Sequence, residues 1–290
     1  MTGESIANRP LAGSADDSLG TLRIRLTTLA RLALPLLAGL VVLTAFLWAV
    51  FPEVFAPRSP TQALASARLQ PPGTAFLFGT DNIGRDLFSR VVHGAGVSIA
   101  GASLAVLIGL VAGCMIGVPS GYIGGRLDEV VMRVIDTLLS IPSLLLALMV
   151  VTALGPGTEN AAVAVGIAAI ATFARLSRTQ VLLCRSETYI EAARLAGSSS
   201  LYTLARHVLP NIAPTLLGVA VLEFGLALLA LAGLSFLGYG AAAPTPEWGS
   251  LVAEGRNYIA FAWWLTTLPG LVVVTLVLSL NYLSSLLVRR

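Results

Sequence analysis

Residues 191–210, EAARLAGSSSLYTLARHVLP, form a polar, arginine-bearing stretch with membrane-length apolar runs on both sides. Just ahead of it, Thr188-Tyr189-Ile190-Glu191 has capping-box spacing, in which a threonine hydroxyl takes the amide three residues on and the glutamate reaches back. A helix is expected from there through Ala192, Ala193, Arg194, Leu195 and Ala196, ending at Gly197, since glycine suits the left-handed residue after a helix. Ser198 to Ser200 offer an N-cap for a second short helix through Leu201, Leu204, Ala205 and Val208. Pro210 and Pro214 are expected to punctuate the passage into the next apolar run. The product is a helix–turn–helix at one membrane face, where Ala192 and Ala193 leave room for a partner and Glu191 supplies a fixed charge. These features alone also describe a hairpin that only links two spans.

The surrounding composition makes the bilayer the solvent. Of 290 residues, 56% are hydrophobic and 11% charged, against roughly 25% charged in soluble domains. The net charge of +3 is carried by 18 arginines without a lysine. They lie between apolar spans rather than on one basic face, which excludes nucleic acid as a partner. Cys114 falls in an apolar span and Cys184 among arginines, so no mutual disulfide is expected, and no Cys/His cluster suggests a metal.

A crossing helix needs about 20 mostly apolar residues. Five stretches qualify, 32–51, 97–118, 134–154, 212–238 and 258–283, and a shorter sixth, 161–174, extends through Leu176. With the N-terminus inside, the inner segments hold 13 arginines and the outer ones 5. The positive-inside rule then places both termini and the Glu191 loop in the cytoplasm. The first span outruns a signal-peptide core and is expected to be a retained anchor. The organisation expected is a cytoplasmic tail (1–31) that becomes a basic juxtamembrane helix, a first transmembrane helix (32–51), and an outer linker with a pre-helix motif (52–94). A transmembrane domain (95–290) containing the loop 186–211 follows.

Within the spans, Gly101, Ala105, Gly109, Gly113 and Gly117 recur every fourth position, lining one helix face for close packing. The spacing leaves open whether the partner is another helix of this chain or another subunit. Trp48, Trp248, Trp263 and Trp264 lie near span ends, as interface anchors do. Glu223 is mid-span, where a charge costs about 2.5–3.5 kcal/mol, so it is expected to face protein or water. It either lines a substrate path or is a protonated group bonded between helices. Asp81, Arg85 and Asp86 precede the second span on the outside; local pairing of an exposed Asp81–Arg85 pair is expected, with orientation of an outer helix or contact with a binding protein as alternatives.

Glu191-Ala192-Ala193, Gly197 and then Leu209-Pro210 resemble the E-A-A loop of ABC importer membrane subunits. His207, standing where many members have Ile, begins His207-Val208-Leu209-Pro210-Asn211, which resembles the dipeptide/oligopeptide/nickel permease branch, its C-type subunit. So do Phe78 to Arg90 (FGTDNIGRDLFSR), Ser120 to Asp128 (SGYIGGRLD), Met132 to Asp136, and Leu234 to Gly238 followed by Pro244 to Gly249 (PTPEWG). In order, these motifs cover about three quarters of the chain; the N-terminal 75 residues match weakly.

The resemblance implies an all-α integral membrane protein with six transmembrane helices in the type I importer fold. It further implies a homologous second permease subunit, two ABC ATPase subunits that use ATP and Mg, and a periplasmic or lipid-anchored solute-binding protein. Tyr189, Glu191, Ala192, Ala193, Arg194 and Gly197, with Leu209 and Pro210 beyond, would form the loop that docks on an ATPase. The chain itself would bind no cofactor and catalyse nothing. Peptides are the commonest cargo of the branch, with nickel or metal chelates the alternative. Many relatives carry an LRDxLDP-like tail after the last span where this chain stops at Arg290, so an ATPase contact through such a tail is not expected.

Two rival classes fit poorly. An intramembrane enzyme needs a nucleophile with a base, or a metal cluster, but His93 and His207 are the only histidines, neither mid-span, and neither HExxH nor GxSxG occurs. A secondary transporter is expected to show inverted repeats and paired broken helices, and no internal repeat is legible.

Overall fold

The computed structural model describes residues 33–288, without the side chains of Arg194, Leu287 and Val288. The tail 1–31, its juxtamembrane helix and the terminal arginines therefore lie outside the described residues. All regular elements among the described residues are helical. Helix α1, Ala33–Val50, is the first span. After the short turn α2, Pro52–Phe55, a largely irregular segment leads to α3, Leu87–Ile123.

Helix α3 starts at Leu87 because Asp86 caps it, its carboxylate accepting from the Ser89 amide at 3.2 Å and the Ser89 hydroxyl at 2.6 Å. That start lies well ahead of the apolar run at 97. The helix stops at Gly124, whose φ of 73° suits glycine and few other residues.

The stretch 134–154 is not one straight span. It divides between α4, Gly125–Leu139, and α5, Ser143–Leu154, bent by 90°. Pro142 disfavours helix at the residue before it, and α4 carries Arg126, Asp128, Glu129, Arg133 and Asp136, which hold it as an amphipathic element. Alone, α5 reaches about 18 Å, short of a bilayer core of about 30 Å. Five helices are thus long and apolar enough to cross, or six if the bent pair counts as one span.

The least apolar run was the shortest in sequence, yet it becomes α6, Thr158–Arg185, a full 28-residue helix. It packs against α3, α4, α5 and α9, with 56% of its most apolar window buried. A helix that faces protein needs small residues more than hydrophobic ones. The glycine stripe of α3 meets it: a Cβ on Gly109 would stand 2.7 Å from that of Ala169, and one on Gly113 would stand 2.5 Å from that of Phe173. Gly117 lies against the backbone of Ala174 and the hydroxyl of Ser177. The stripe is therefore a helix contact within this chain.

Helix α7, Thr188–Leu195, follows at the far end of α6, then α8, Ser200–Thr203. A wider helical turn over Leu204–Val208 carries α8 directly into α9, Leu209–Phe236. Pro210 and Pro214 do not break this rod; Pro210 comes just after the wide turn, and Pro214 lies inside α9. Two helices complete the chain, α10, Trp248–Gly255, and α11, Trp264–Val288. The last span thus begins later than 258, since residues 256–258 form a separate tight turn.

The tryptophans divide. Trp248 and Trp264 are core residues at 1% and 6% exposure, not interface anchors. Their indoles donate to the Val91 carbonyl at 2.9 Å and the Thr80 carbonyl at 3.2 Å, which pins α10 and α11 to the start of α3. Trp263 is exposed, and Trp48 stands half-buried and edge-on to Phe88.

Candidate functional site

Helix α7 is seated on one side and open on the other. Ile190 is fully buried among Val118, Val181, Val208 and Ile212 of α3, α6 and the α8–α9 rod. Glu191, Ala192, Leu195 and Gly197 are exposed, and Ala193 is half-buried. Thr188 stands inside the first turn instead of capping it, and the Glu191 amide is directed to the Glu187 carbonyl at 3.4 Å. The other end forms as the spacing predicts: Gly197 has φ 83°, and the Ser198 amide reaches back to the Ala193 carbonyl at 3.1 Å. Ser199 caps the next helix, accepting from the Tyr202 amide at 3.3 Å.

The seating includes polar contacts that spacing did not disclose. Asn211 Nδ2 donates to the Tyr189 hydroxyl at 2.6 Å, and Cys184 Sγ lies 3.4 Å from the same oxygen, tying α7 to α9 and α6. The hydrogen bond to Cys184, with burial behind it, raises the Tyr189 phenol above its ordinary 10.0. Tyr122 donates to the Ser200 carbonyl at 2.9 Å, and Arg185 donates to the Gly121 carbonyl at 2.9 Å, so the end of α3 is fastened to both sides of the loop. Leu209 and Pro210 are exposed at the base of α9, beside the buried Val208. His207 is half-buried, edge-on to Tyr202 at 6.0 Å. Asn211 closes the quoted motif, which was the available signal for it; Cys184 offered none.

Glu223 lies elsewhere, midway along α9 and about 20 Å from either end of that helix. It lines a cavity of about 440 Å³ walled by α3, α5, α6 and α9. Among the described residues its carboxylate has no hydrogen-bond or ion-pair partner, so the described helices of this chain do not supply the bond that the second reading needs.

Asp81, Arg85 and Asp86 form a third site, buried rather than exposed. Asp81 is 3% and Arg85 8% exposed, and their 2.5 Å pair belongs to a larger network. Arg90 Nη1 lies 3.0 Å from Asp81 and 2.7 Å from Glu254 of α10, and Arg85 lies 3.2 Å from Glu254. Asp86 is spent on the cap of α3. Nearby, buried Glu247 accepts from Ser235 and the Ala241 amide, each at 2.6 Å. Arg90 and Glu254 are the members that local spacing missed, because a partner far along the chain leaves no periodic trace. No group of three or more metal-ligating side chains occurs among the described residues.

Residues 105–290 match the family described as the inner membrane component of binding-protein-dependent transport systems. Among curated relatives, the probable D,D-dipeptide transport system permease protein DdpC of Escherichia coli is 40% identical over 84% of this chain and 82% of its own length. The di/tripeptide transport system permease protein DppC of Pseudomonas aeruginosa is 40% identical over 80% of this chain and 79% of its own. The glutathione transport system permease protein GsiD of Pectobacterium atrosepticum is 36% identical over 85% and 82%. In fold, a chain of the MetNI methionine ABC transporter matches with a TM-score of 0.55 at 20% identity, over 69% of this chain and 95% of that one. A chain of an amino acid ABC transporter crystallised with histidines matches at 0.54 and 17% identity, over 70% and 94%. With a family match over residues 105–290 and relatives near 40% identity across most of both chains, this protein belongs to the inner membrane permease components of binding-protein-dependent transport systems.

Proposed function

We propose that this chain is one of two related permease subunits that together form the path for ATP-driven import of di- and oligopeptides across the cytoplasmic membrane. The family description implies a binding protein and ATPase partners, and relatives named for di- and tripeptide transport supply the cargo class. ATP and Mg are used by two ATPase subunits on the cytoplasmic face, a periplasmic or lipid-anchored binding protein delivers the solute, and this chain holds neither nucleotide nor metal.

The observation that carries the reading is the two-sidedness of α7, whose Ile190 is buried while Glu191 and Ala192 beside it are exposed. Such a helix offers an outward face to an ATPase cleft and transmits a push through its inward face. Movement of α7 would pass through Tyr189 and Asn211 into α9 and through the Ile190 cluster into α6, which form walls of the Glu223 cavity. ATPase closure would thereby shift the spans between inward-open and outward-open states. Small Ala192 and Ala193 allow close docking, while Gly197 permits the sharp turn after them.

Co-purification tests this. With the neighbouring genes co-expressed, the tagged chain is expected to bring down a second permease and the ATPases, and Glu191→Arg to lose the ATPases while keeping the permease. Purification of the chain alone, with ATP-independent solute movement in liposomes, would overturn it.

A further inference from the structure

The cavity of α3, α5, α6 and α9 holds one ionisable side chain. Ala105, Ala147 and Ala168 supply small apolar wall, Ser143 and Thr172 supply neutral hydroxyls, and Glu223 supplies the sole carboxylate. Its volume of about 440 Å³ falls in the range of roughly 300–1,000 Å³ typical of small-molecule sites. Each buried acid described above has a partner: Asp81 has Arg85 and Arg90, Asp86 has Ser89, and Glu247 has Ser235. Glu223 has none among the described residues, at a depth where an uncompensated charge is costly.

A lone carboxylate among neutral groups suits one kind of guest. Divalent metal ions take several protein ligands, and no such cluster is present among the described residues. A proton relay needs a neighbouring titratable group, and the lining has no second one. A primary ammonium can be met by one carboxylate, leaving its other hydrogens for hydroxyls and water. We propose that Glu223 receives the ammonium group of the transported solute, so that the path favours cargo with a free primary amine, such as the amino terminus of a short peptide. This rests on the importer reading above. The residues flanking the carboxylate are apolar or neutral, so they accept varied side chains while the amine fixes one end of the guest.

The test uses the complete importer, this chain with its co-encoded permease, ATPases and binding protein, in proteoliposomes supplied with ATP. Alanyl-alanine is the probe, and nickel–histidine chelate is the comparison. Glu223→Gln keeps size and hydrogen-bonding capacity but removes the charge. It is expected to lower alanyl-alanine uptake about tenfold or more, the loss of a charge-assisted contact. Glu223→Asp is expected to retain most uptake. Co-purification of the sister permease and the ATPases with both variants reports intact assembly. Wild-type uptake by Glu223→Gln would overturn the assignment and leave the importer reading standing. So would equal loss in both variants together with loss of the co-purifying subunits, which would make Glu223 a packing residue. Import of the nickel chelate in place of alanyl-alanine would also defeat the ammonium assignment alone. Uptake by the wild-type complex that does not depend on ATP would defeat the importer reading itself.

Discussion

Arg90 Nη1 stands 2.7 Å from Glu254 Oε2, closing an ion pair between residues 164 positions apart. The arginine is 1% exposed, and it also reaches Asp81, so the loop before α3, the first turn of α3 and the end of α10 are held by one network. Removing one partner of a buried network leaves the others uncompensated, at a cost of about 3–5 kcal/mol. Arg90→Met is therefore expected to destabilise the protein strongly, with a large fall in the melting temperature followed by tryptophan fluorescence. Glu254→Gln should cost far less, because the Glu254 side chain is 40% exposed and stays solvated. Equal losses, or the reverse order, would show that the network does not hold the start of α3 to α10.

The contact of α3 with α6 makes a second prediction. Gly113 has the Phe173 Cβ and the Ile170 carbonyl within 2.8 Å of where its own Cβ would be, so Gly113→Val must separate two helices whose attraction is mainly close packing. A loss of at least about 1–3 kcal/mol is expected from overpacking. Gly270→Ala is the control, since nothing lies within 4 Å of its added Cβ; its melting curve should match wild type.

Helix α7 allows seating to be separated from docking. Ile190→Ala empties a fully buried site and is expected to cost about 2–5 kcal/mol locally, raising proteolysis at 186–199 and weakening binding-protein-stimulated ATP hydrolysis. Leu195 is 83% exposed. Leu195→Ala should leave proteolysis unchanged, and a change in ATPase recruitment alone would place it on the docking face.

The Tyr189 contact with Cys184 carries a pH dependence with a definite sign. Because the folded phenol titrates above its ordinary 10.0, its contribution is complete below that value and is lost as pH rises through the higher folded value. Protease resistance of the 186–199 segment is expected to be flat between pH 6 and about 9 and to fall in stronger alkali. Tyr189→Phe should remove that alkaline dependence and weaken seating by about 0.5–1.5 kcal/mol at neutral pH.

Where the sequence was legible, the information was local. The Gly197 turn and the Ser199 cap form as spacing indicates, because capping involves residues three or four apart. Continuous hydropathy masks the break at 140–142, which Pro142 alone marks in the sequence. Thr188 looked like a cap because capping-box spacing is satisfied by composition alone, while the path of the chain out of α6 starts the helix one position early.

Hydrophobic run length, arginine distribution and the ordered motifs determined by themselves that this chain spans a membrane and resembles an importer permease, since bilayer thickness and insertion act on each segment separately. Only the tertiary structure decided that the glycine stripe of α3 meets α6, that Trp248 and Trp264 are core, that Asp81 and Arg85 join Arg90 and Glu254 in a buried network, and that Glu223 faces a cavity with no partner among the described residues. Those outcomes depend on which helix faces meet after the chain has crossed the bilayer several times. Period and composition along one helix do not contain that information.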